Sequence, residues 1–131
     1  MSSAIRVLVV DDDPAVRASL VAFLEDEGFA LRACGSVGEA LDVLAREEFD
    51  VAMVDLRLGE MNGETFILLA RQARANLRFL IFTGSLGYQL SDKLADIGMS
   101  HQDVLYKPVR IMKRVTDHIH RLAGKERNHG R

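Results

Sequence analysis

The sequence has a single cysteine, no long hydrophobic run and almost no net charge. Cys34 is the one cysteine among 131 residues, so neither an intrachain disulfide nor a multi-cysteine metal site is possible, and we expect a reducing compartment. Residues 1–6 lack an apolar signal segment, and no stretch approaches the length that spans a membrane. We therefore predict a cytoplasmic protein that does not associate with membranes.

The composition is that of one globular domain. Hydrophobic residues make up 48% and charged residues 27% of the chain, which argues against disorder, and the length is sufficient for a buried core. The net charge of −2 provides no general attraction to nucleic acid. Basic residues become frequent from Arg110 onward, and we favour a solvated helix face and a loose terminus over contact with an acidic partner. The predicted domain covers residues 1–124, followed by a disordered basic tail over residues 125–131.

Short apolar runs alternate five times with stretches of helical periodicity. The runs predict strands over residues 5–10, 29–33, 51–54, 77–82 and 104–106. The periodic stretches predict helices over residues 14–28, from residue 36, over 65–75, over 89–97, and finally through Ile111, Met112, Val115, Ile119 and Leu122. Parallel strands need crossover connections, so the pattern predicts an α/β fold: a doubly wound, five-stranded parallel sheet in the flavodoxin-like order 2-1-3-4-5, with helices on both faces.

Two helix starts have clear capping signals. Asp13 precedes Pro14, and proline at the first helical position loses no hydrogen bond, so Asp13 is the predicted cap of the first helix. Ser36 with Glu39 three residues later predicts a reciprocal capping box at the start of the second.

Polar side chains stand where four of the predicted strands end. Asp11 and Asp12 follow the first strand, Asp55 follows the third, Thr83 ends the fourth and Lys107 follows the fifth. The carboxyl ends of parallel strands meet at one edge of the sheet, and ligands bind there at the point where the strand order reverses. We therefore expect these five side chains to converge on one pocket.

The residue types in this pocket predict metal-assisted phosphoryl chemistry. Three close carboxylates repel one another unless a cation lies among them, and Mg²⁺ suits carboxylates, water and phosphate as ligands. Asp55, at a strand tip, can attack a phosphoryl group as a nucleophile. Lys107 is suited to bind one phosphoryl oxygen, and the hydroxyl of Thr83 can bind another.

Four segments resemble the motifs of receiver domains from two-component response regulators, of the stand-alone, chemotaxis-regulator-like kind. They are VVDDDP at 9–14, VDLRLGEMNG at 54–63, FTGS at 82–85 and YKP at 106–108. The resemblance implies phosphorylation of Asp55 by a phosphohistidine on a sensor histidine kinase or histidine phosphotransfer protein. It also implies Mg²⁺ held by Asp11, Asp12, Asp55 and the backbone carbonyl of Arg57, with Thr83 and Lys107 contacting the phosphoryl group.

The sequence departs from the family pattern in three places. Gly59 stands where proline is common, which predicts a more mobile loop. Val104 stands where the family usually has the aromatic residue that moves inward on activation; Tyr106 either replaces that residue or simply packs, and we favour packing. Residues 98–103 are about two longer than usual beside a weakly specified fourth helix, which suggests an unusual partner.

The remaining candidates have simple structural explanations. Cys34 is interpreted as a small buried filler in preference to a reactive thiol. The four histidines lack metal-ligand spacing, so we expect no histidine metal site; they are His101, His118, His120 and His129.

Three functions were compared. The preferred one is a phosphorylation-driven switch, monomeric or weakly dimeric, that acts on a downstream protein and does not bind nucleic acid directly. The alternative is a degenerate receiver that binds partners without phosphorylation. An enzyme acting on external substrates is disfavoured: a related phosphatase would have a second aspartate where Arg57 stands, and a flavin carrier would have phosphate-cradling residues where Asp11 and Asp12 stand. We therefore expect the protein to catalyse only its own phosphorylation and slow dephosphorylation.

Overall fold

The computed structural model describes residues 4–59, 61–107 and 112–127. Its central sheet has five parallel strands: β1 (Arg6–Val10), β2 (Ala30–Cys34), β3 (Val51–Val54), β4 (Arg78–Thr83) and β5 (Val104–Tyr106). Their order is β2-β1-β3-β4-β5, which confirms the predicted doubly wound arrangement. The third and fifth strands have the predicted bounds, and the others differ from prediction by one residue at one or both ends.

Five helices connect or follow these strands. They are α1 (Pro14–Asp26), α2 (Val37–Arg46), α3 (Gly63–Ala73), α4 (Asp92–Asp96) and α5 (Lys113–Arg127). Helix α3 begins two residues before the predicted start because the side chain of Asn62 caps it by accepting a hydrogen bond from the backbone N–H of Thr65. A short antiparallel pair, Arg57–Leu58 with Met61–Asn62, lies between β3 and α3.

The sheet separates two hydrophobic cores. Side chains alternate along β1, so Leu8 and Val10 belong to one core while Val7 and Val9 belong to the other. The first core contains residues of α2, α3 and α4, including Leu44, Phe66 and Leu94. The second contains residues of α1 and α5, including Leu24, Val115, Ile119 and Leu122. The central strands are therefore buried on both faces, as their continuous apolar runs predicted.

Parallel pairing brings the carboxyl ends of the strands together. Val10 of β1 pairs with Cys34 of β2 and with Val54 of β3. The pairing continues for one residue, because the backbone N–H of Asp55 donates to the carbonyl of Val10 at 3.0 Å and that of Asp11 donates to Cys34 at 3.2 Å. Asp11 and Asp55 are thus placed side by side by the sheet itself.

One of the two predicted caps is confirmed in full and the other in part. The side chain of Asp13 accepts hydrogen bonds from the backbone N–H groups of Ala15 and Val16, as expected for the cap of α1. At α2, Ser36 accepts from the N–H of Glu39, but the Glu39 carboxylate accepts from Gly35 and not from Ser36. The predicted reciprocal box was wrong in its second half.

The fourth helix is shorter than predicted, and the residues after it are ordered. Ser91 caps a helix of five residues in place of the predicted 89–97, and Gly98 ends it with a φ of +97°. The longer segment before β5 forms a 3₁₀ turn, His101–Asp103, in which the Asp103 carboxylate accepts from the N–H of Ser100 at 2.9 Å.

Asp103 also fastens this segment to α5. Its Oδ1 lies 2.8 Å from Nε2 of His118, both side chains are buried, and Nη2 of Arg121 lies 3.1 Å from the ring of His118. Burial alone would raise the pKa of Asp103, but the hydrogen bonds from His118 and Ser100 and the nearby charges lower it. Residues 98–103 are therefore anchored to α5 through Asp103 and His118.

The C-terminal helix continues further than predicted. The backbone of α5 is helical through Arg127, three residues past the expected boundary at 124, and residues 128–131 lie outside the described part of the chain, as does Ile111 of the predicted apolar stripe. The stripe residues Val115, Ile119 and Leu122 are buried as predicted. Within the described ranges, no helix combines the length and hydrophobicity needed to cross a membrane.

Replacing Asp103 with Asn should lower the free energy of unfolding by about 1–3 kcal/mol, because a buried charge-assisted hydrogen bond is weakened. Since the pKa of Asp103 is lowered in the fold, its contribution is complete above the usual pKa of 3.8 and is lost as the pH falls below that value. Urea unfolding across this pH range measures both effects.

The matched control is Asp117→Asn on α5, where the carboxylate forms an exposed pair with Lys113 and should contribute little. Equal losses from the two substitutions would contradict the anchoring role of Asp103.

Candidate functional site

Three carboxylates meet at the carboxyl edge of the sheet. One oxygen from each of Asp11, Asp12 and Asp55 lies within 4.8 Å of the others. Asp11 is 2% exposed and Asp55 is 8% exposed, whereas Asp12 faces solvent. The structure thus brings together the three predicted acidic residues, with an open side toward water.

The loop after β1 is held in place by local hydrogen bonds. Oδ1 of Asp11 accepts from the backbone N–H of Asp13 at 2.9 Å. Nη1 of Arg17, one turn into α1, donates to the backbone carbonyl of Asp11 at 2.7 Å. A Cβ at Gly35 would lie 2.9 Å from this same Nη1, so glycine provides the space for the guanidinium. Sequence reasoning missed Arg17, because its target is a backbone atom.

Lys107 brings a positive charge to the two buried carboxylates. Its Nζ lies 3.1 Å from Oδ2 of Asp11 and 3.3 Å from Oδ2 of Asp55. The backbone N–H of Lys107 donates to the carbonyl of Thr83 at 2.7 Å, which fixes the end of β5 beside β4. The ammonium group of Lys107, which follows β5, thus lies between the side chains that follow β1 and β3.

The charges in this site are incompletely balanced. Burial raises the pKa of Asp55, and the charge of Asp11 raises it further, although the N–H of Arg57 and the ammonium of Lys107 act in the opposite direction. Burial would lower the pKa of Lys107, but its hydrogen bond and charge contacts with Asp11 and Asp55 raise it. One ammonium faces three carboxylates, and these oxygen donors fit a hard divalent cation such as Mg²⁺.

A cavity of about 220 Å³ opens beside the Asp55 carboxylate; it is lined by Asp55, Arg57, Thr83, Gly84, Ser85 and Lys107. Thr83 is buried, and its hydroxyl oxygen accepts a hydrogen bond from the N–H of Ser85 at 3.0 Å. Oδ1 of Asp55 accepts from the N–H of Arg57 at 3.2 Å. The predicted phosphoryl contacts thus share one cavity with Asp55, and the role of the Arg57 carbonyl stays a prediction.

The loop after Asp55 contains a short antiparallel pair. Arg57–Leu58 is hydrogen-bonded to Met61–Asn62. Gly59 has a φ of +72°, which proline cannot adopt because its ring fixes φ near −65°. The glycine in place of the usual proline therefore permits a hairpin, and the expected increase in mobility stays a prediction.

Gly63 is required by a close approach to the backbone of Asp55. A Cβ at this position would lie 2.6 Å from the carbonyl oxygen of Asp55 and 2.8 Å from Cα of Leu56. The N–H of Gly63 also donates to the carbonyl of Leu56 at 2.7 Å. The glycine is needed because α3 begins against the backbone of Asp55 and Leu56.

Val104, which departs from the family pattern on β5, and its possible replacement Tyr106 have different environments. Val104 is buried, whereas Tyr106 is 38% exposed and its hydroxyl donates to the backbone carbonyl of Tyr88 at 3.1 Å. Tyr106 is therefore packed only in part, and its hydroxyl connects β5 to the loop after β4; whether it replaces the usual switch aromatic stays a prediction.

Cys34 lies beneath this site at the end of β2. The side chain is fully buried, and burial raises the pKa of its thiol to about 11, so it is un-ionised at neutral pH. This environment agrees with the predicted role of a buried filler.

Fold and site together define a flavodoxin-like α/β domain with an acidic site at the edge where ligands bind. The family model described as the response regulator receiver domain matches residues 7–119. The chain belongs to the response regulator receiver domain family, whose members are signalling switches.

Individual relatives agree with this assignment. The alginate biosynthesis transcriptional regulatory protein AlgB of Pseudomonas putida is 33% identical over 103 residues, which are 79% of this chain and 22% of AlgB. A CheY-like receiver domain from Methanospirillum hungatei has a TM-score of 0.81 with 26% identity over 96% of this chain and 99% of that one. A response regulator from Burkholderia pseudomallei, with a phosphorylated aspartic acid and a calcium ion, has a TM-score of 0.77 with 25% identity over 95% and 71% of the two chains.

Replacing Gly63 with Ala should lower the free energy of unfolding by about 1–3 kcal/mol, because the added methyl group forces the backbone of Asp55 and Leu56 to move. Gly38→Ala is the matched control, since nothing lies within 4 Å of a Cβ there and the residue is inside α2. The control should raise stability by about 0.5–1 kcal/mol. A neutral or stabilising effect of Gly63→Ala in urea unfolding would contradict the close approach.

Proposed function

We propose that this chain is a phosphoacceptor switch of a two-component phosphorelay. In this function Asp55 receives a phosphoryl group from a phosphohistidine on a sensor histidine kinase or histidine phosphotransfer protein, and the modification alters a partner-binding surface. The observation that carries the proposal is the position of the Asp55 carboxylate, which faces a cavity shared with Lys107 and Thr83 and lies within 4.8 Å of the other two carboxylates. The phosphorylated aspartic acid in the Burkholderia relative supports the same chemistry.

The transfer itself needs little from the protein besides placement and charge. A carboxylate oxygen of Asp55 forms a bond to phosphorus while the P–N bond of the phosphohistidine breaks. The electron pair of that bond returns to the imidazole nitrogen of the donor, and the product is an acyl phosphate on Asp55. Lys107 then binds a phosphoryl oxygen, and the Thr83 hydroxyl donates to another. Hydrolysis of the acyl phosphate resets the switch slowly.

We assign the metal ligands to Asp11, Asp12, Asp55 and the backbone carbonyl of Arg57. When bound, Mg²⁺ offsets the negative charge that develops on the phosphoryl oxygens. Asp11 and Asp55 present buried oxygens, while the exposure of Asp12 leaves space for the water ligands that Mg²⁺ retains. The calcium ion in the Burkholderia structure is consistent with a divalent cation in such a site.

The partners proposed are proteins. A kinase or phosphotransfer protein supplies the phosphoryl group, and a downstream protein receives the signal. The chain itself does not bind nucleic acid directly, and it acts in the cytoplasm. The chain spans about a fifth of the length of AlgB, so that protein's regulatory activity as a whole is not assigned to this chain. We further propose that residues 1–124 form the receiver, as a monomer or weak homodimer.

The second candidate is a degenerate receiver that binds partners without being phosphorylated. Val104 favours it, because the usual switch aromatic is missing from β5. The convergence of Asp55, Lys107 and Thr83 on one cavity disfavours it. Magnesium binding and phosphorylation are therefore tested separately.

Mg²⁺ at a hundred times its dissociation constant should raise the free energy of unfolding by about 2.7 kcal/mol, and removal of the ion with a chelator should reverse this. Asp12→Asn should weaken the effect at the same concentration, because one carboxylate ligand is lost. Asp13→Asn is the matched control, since this neighbouring aspartate caps α1 and asparagine caps as well. Equal magnesium responses in both variants would contradict the ligand assignment of Asp12.

Incubation with acetyl phosphate and Mg²⁺ should add one phosphoryl group to the wild type and to Asp13→Asn, as measured by intact-protein mass. Asp55→Asn should gain none, because the amide is not a nucleophile toward phosphorus. An unmodified wild type that nevertheless binds Mg²⁺ would contradict the proposal and support the degenerate receiver.

A further inference from the structure

Tyr88 lies in residues 84–91, the segment between β4 and α4, and is tied to a distant helix. Its side chain is partly buried against the core that contains α2, α3 and α4. The hydroxyl donates to Oε2 of Glu64 at 2.5 Å. Burial and the adjacent Glu64 raise the pKa of Tyr88, so the hydroxyl remains a protonated donor.

Glu64 connects Tyr88 to the phosphoacceptor loop. It lies in the first turn of α3, directly after Gly63, whose Cα packs against the backbone carbonyl of Asp55. A hydrogen bond to Glu64 therefore fastens the segment after β4 to α3, which begins close to the backbone carbonyl of Asp55.

A second set of hydrogen bonds connects Tyr88 to Thr83. The hydroxyl oxygen of Thr83 accepts from the N–H of Ser85 at 3.0 Å, and the carbonyl of Ser85 accepts from the N–H of Tyr88 at 3.2 Å. The carbonyl of Tyr88 in turn accepts from the hydroxyl of Tyr106 at 3.1 Å. Hydrogen bonds thus connect the Thr83 hydroxyl to the backbone of Tyr88, five residues along the chain.

This network lies next to β5, on which Val104 stands where the family usually has an aromatic residue. Val104 has no hydroxyl and is buried in the same core as the ring of Tyr88. Both tyrosine hydroxyls of the chain form hydrogen bonds that hold residues 84–91. The hydroxyl of Tyr88 donates to Glu64 of α3, and the hydroxyl of Tyr106 on β5 donates to the backbone carbonyl of Tyr88.

We infer that Tyr88 is the switch residue of this domain: its hydrogen bond to Glu64 holds residues 84–91 in the unphosphorylated arrangement and breaks when the Thr83 hydroxyl moves onto the phosphoryl group. The inference rests on the proposed function, because it requires an acyl phosphate on Asp55. Residues 84–91 have two arrangements in this account, and the hydrogen bond stabilises the unphosphorylated one. Loss of the bond therefore favours the phosphorylated arrangement. Glu64 and Tyr88 act as positioning residues, since neither contacts the reacting atoms.

Tyrosine fluorescence tests this directly, since the chain has two tyrosines and no tryptophan. In Tyr106→Phe, Tyr88 is the single tyrosine, and a hydrogen bond from its hydroxyl to a carboxylate quenches its emission. Acetyl phosphate with Mg²⁺ should raise the emission at the same rate as the intact mass increases. Adding Glu64→Gln to this background should give bright emission from the start and little further change.

Phosphorylation kinetics provide a second readout. Tyr88→Phe keeps the ring and removes the hydroxyl, so the unphosphorylated arrangement loses its hydrogen bond, and acetyl phosphate should modify the protein about three- to tenfold faster. Glu64→Gln should act in the same direction. A substitution that merely loosened the fold would not accelerate the reaction.

Mass and emission are recorded on the same samples, so the two proposals fail in different ways. A mass increase without an emission change in Tyr106→Phe would overturn the inference and leave the proposed function standing. Equal starting emission with and without Glu64→Gln would overturn it as well. No mass increase in the wild type would overturn the proposed function, and the inference with it.

Discussion

The close approach of the Asp11 and Asp55 carboxylates is the constraint on which the rest of the site depends. Parallel pairing of β1 with β3 sets Val10 opposite Val54, so the next residue on each strand must lie beside the other. Both side chains are buried, and burial together with their mutual repulsion makes the ionised pair unfavourable. Lys107 compensates part of this charge. With Asp12 as its third carboxylate, this acidic centre therefore favours a divalent cation.

Backbone packing maintains this arrangement. Arg17 holds the carbonyl of Asp11, and the absence of a side chain at Gly35 leaves room for its guanidinium. On the other side of the site, Gly63 lets α3 begin against the carbonyl of Asp55. Neither glycine is needed there for its φ angle, in contrast to Gly59 in the hairpin. The site is thus positioned by close contacts with backbone atoms, which a single methyl group would displace.

Local patterns predicted the fold and the acidic site well, because both depend on what each strand ends with. Asp55 and Lys107 could be placed from the strand runs before them, since the sheet brings all such ends to one edge. The bond between Asp103 and His118 and that between Glu64 and Tyr88 were not predictable, because each joins segments 15 or more residues apart without a periodic signal. The odd length of residues 98–103 was noticed from the sequence, but its anchoring role depends on where α5 packs.

A crystal structure of the protein with Mg²⁺ and beryllium fluoride tests the central claim most directly, because the fluoride adduct mimics an acyl phosphate. The account predicts one beryllium bonded to a carboxylate oxygen of Asp55, one Mg²⁺ bound by Asp11, Asp12 and Asp55, and Lys107 in contact with a fluorine. Such a structure would show the three carboxylates acting together on a phosphoryl group. A structure with no adduct at Asp55, or with Mg²⁺ bound away from these carboxylates, would contradict the account.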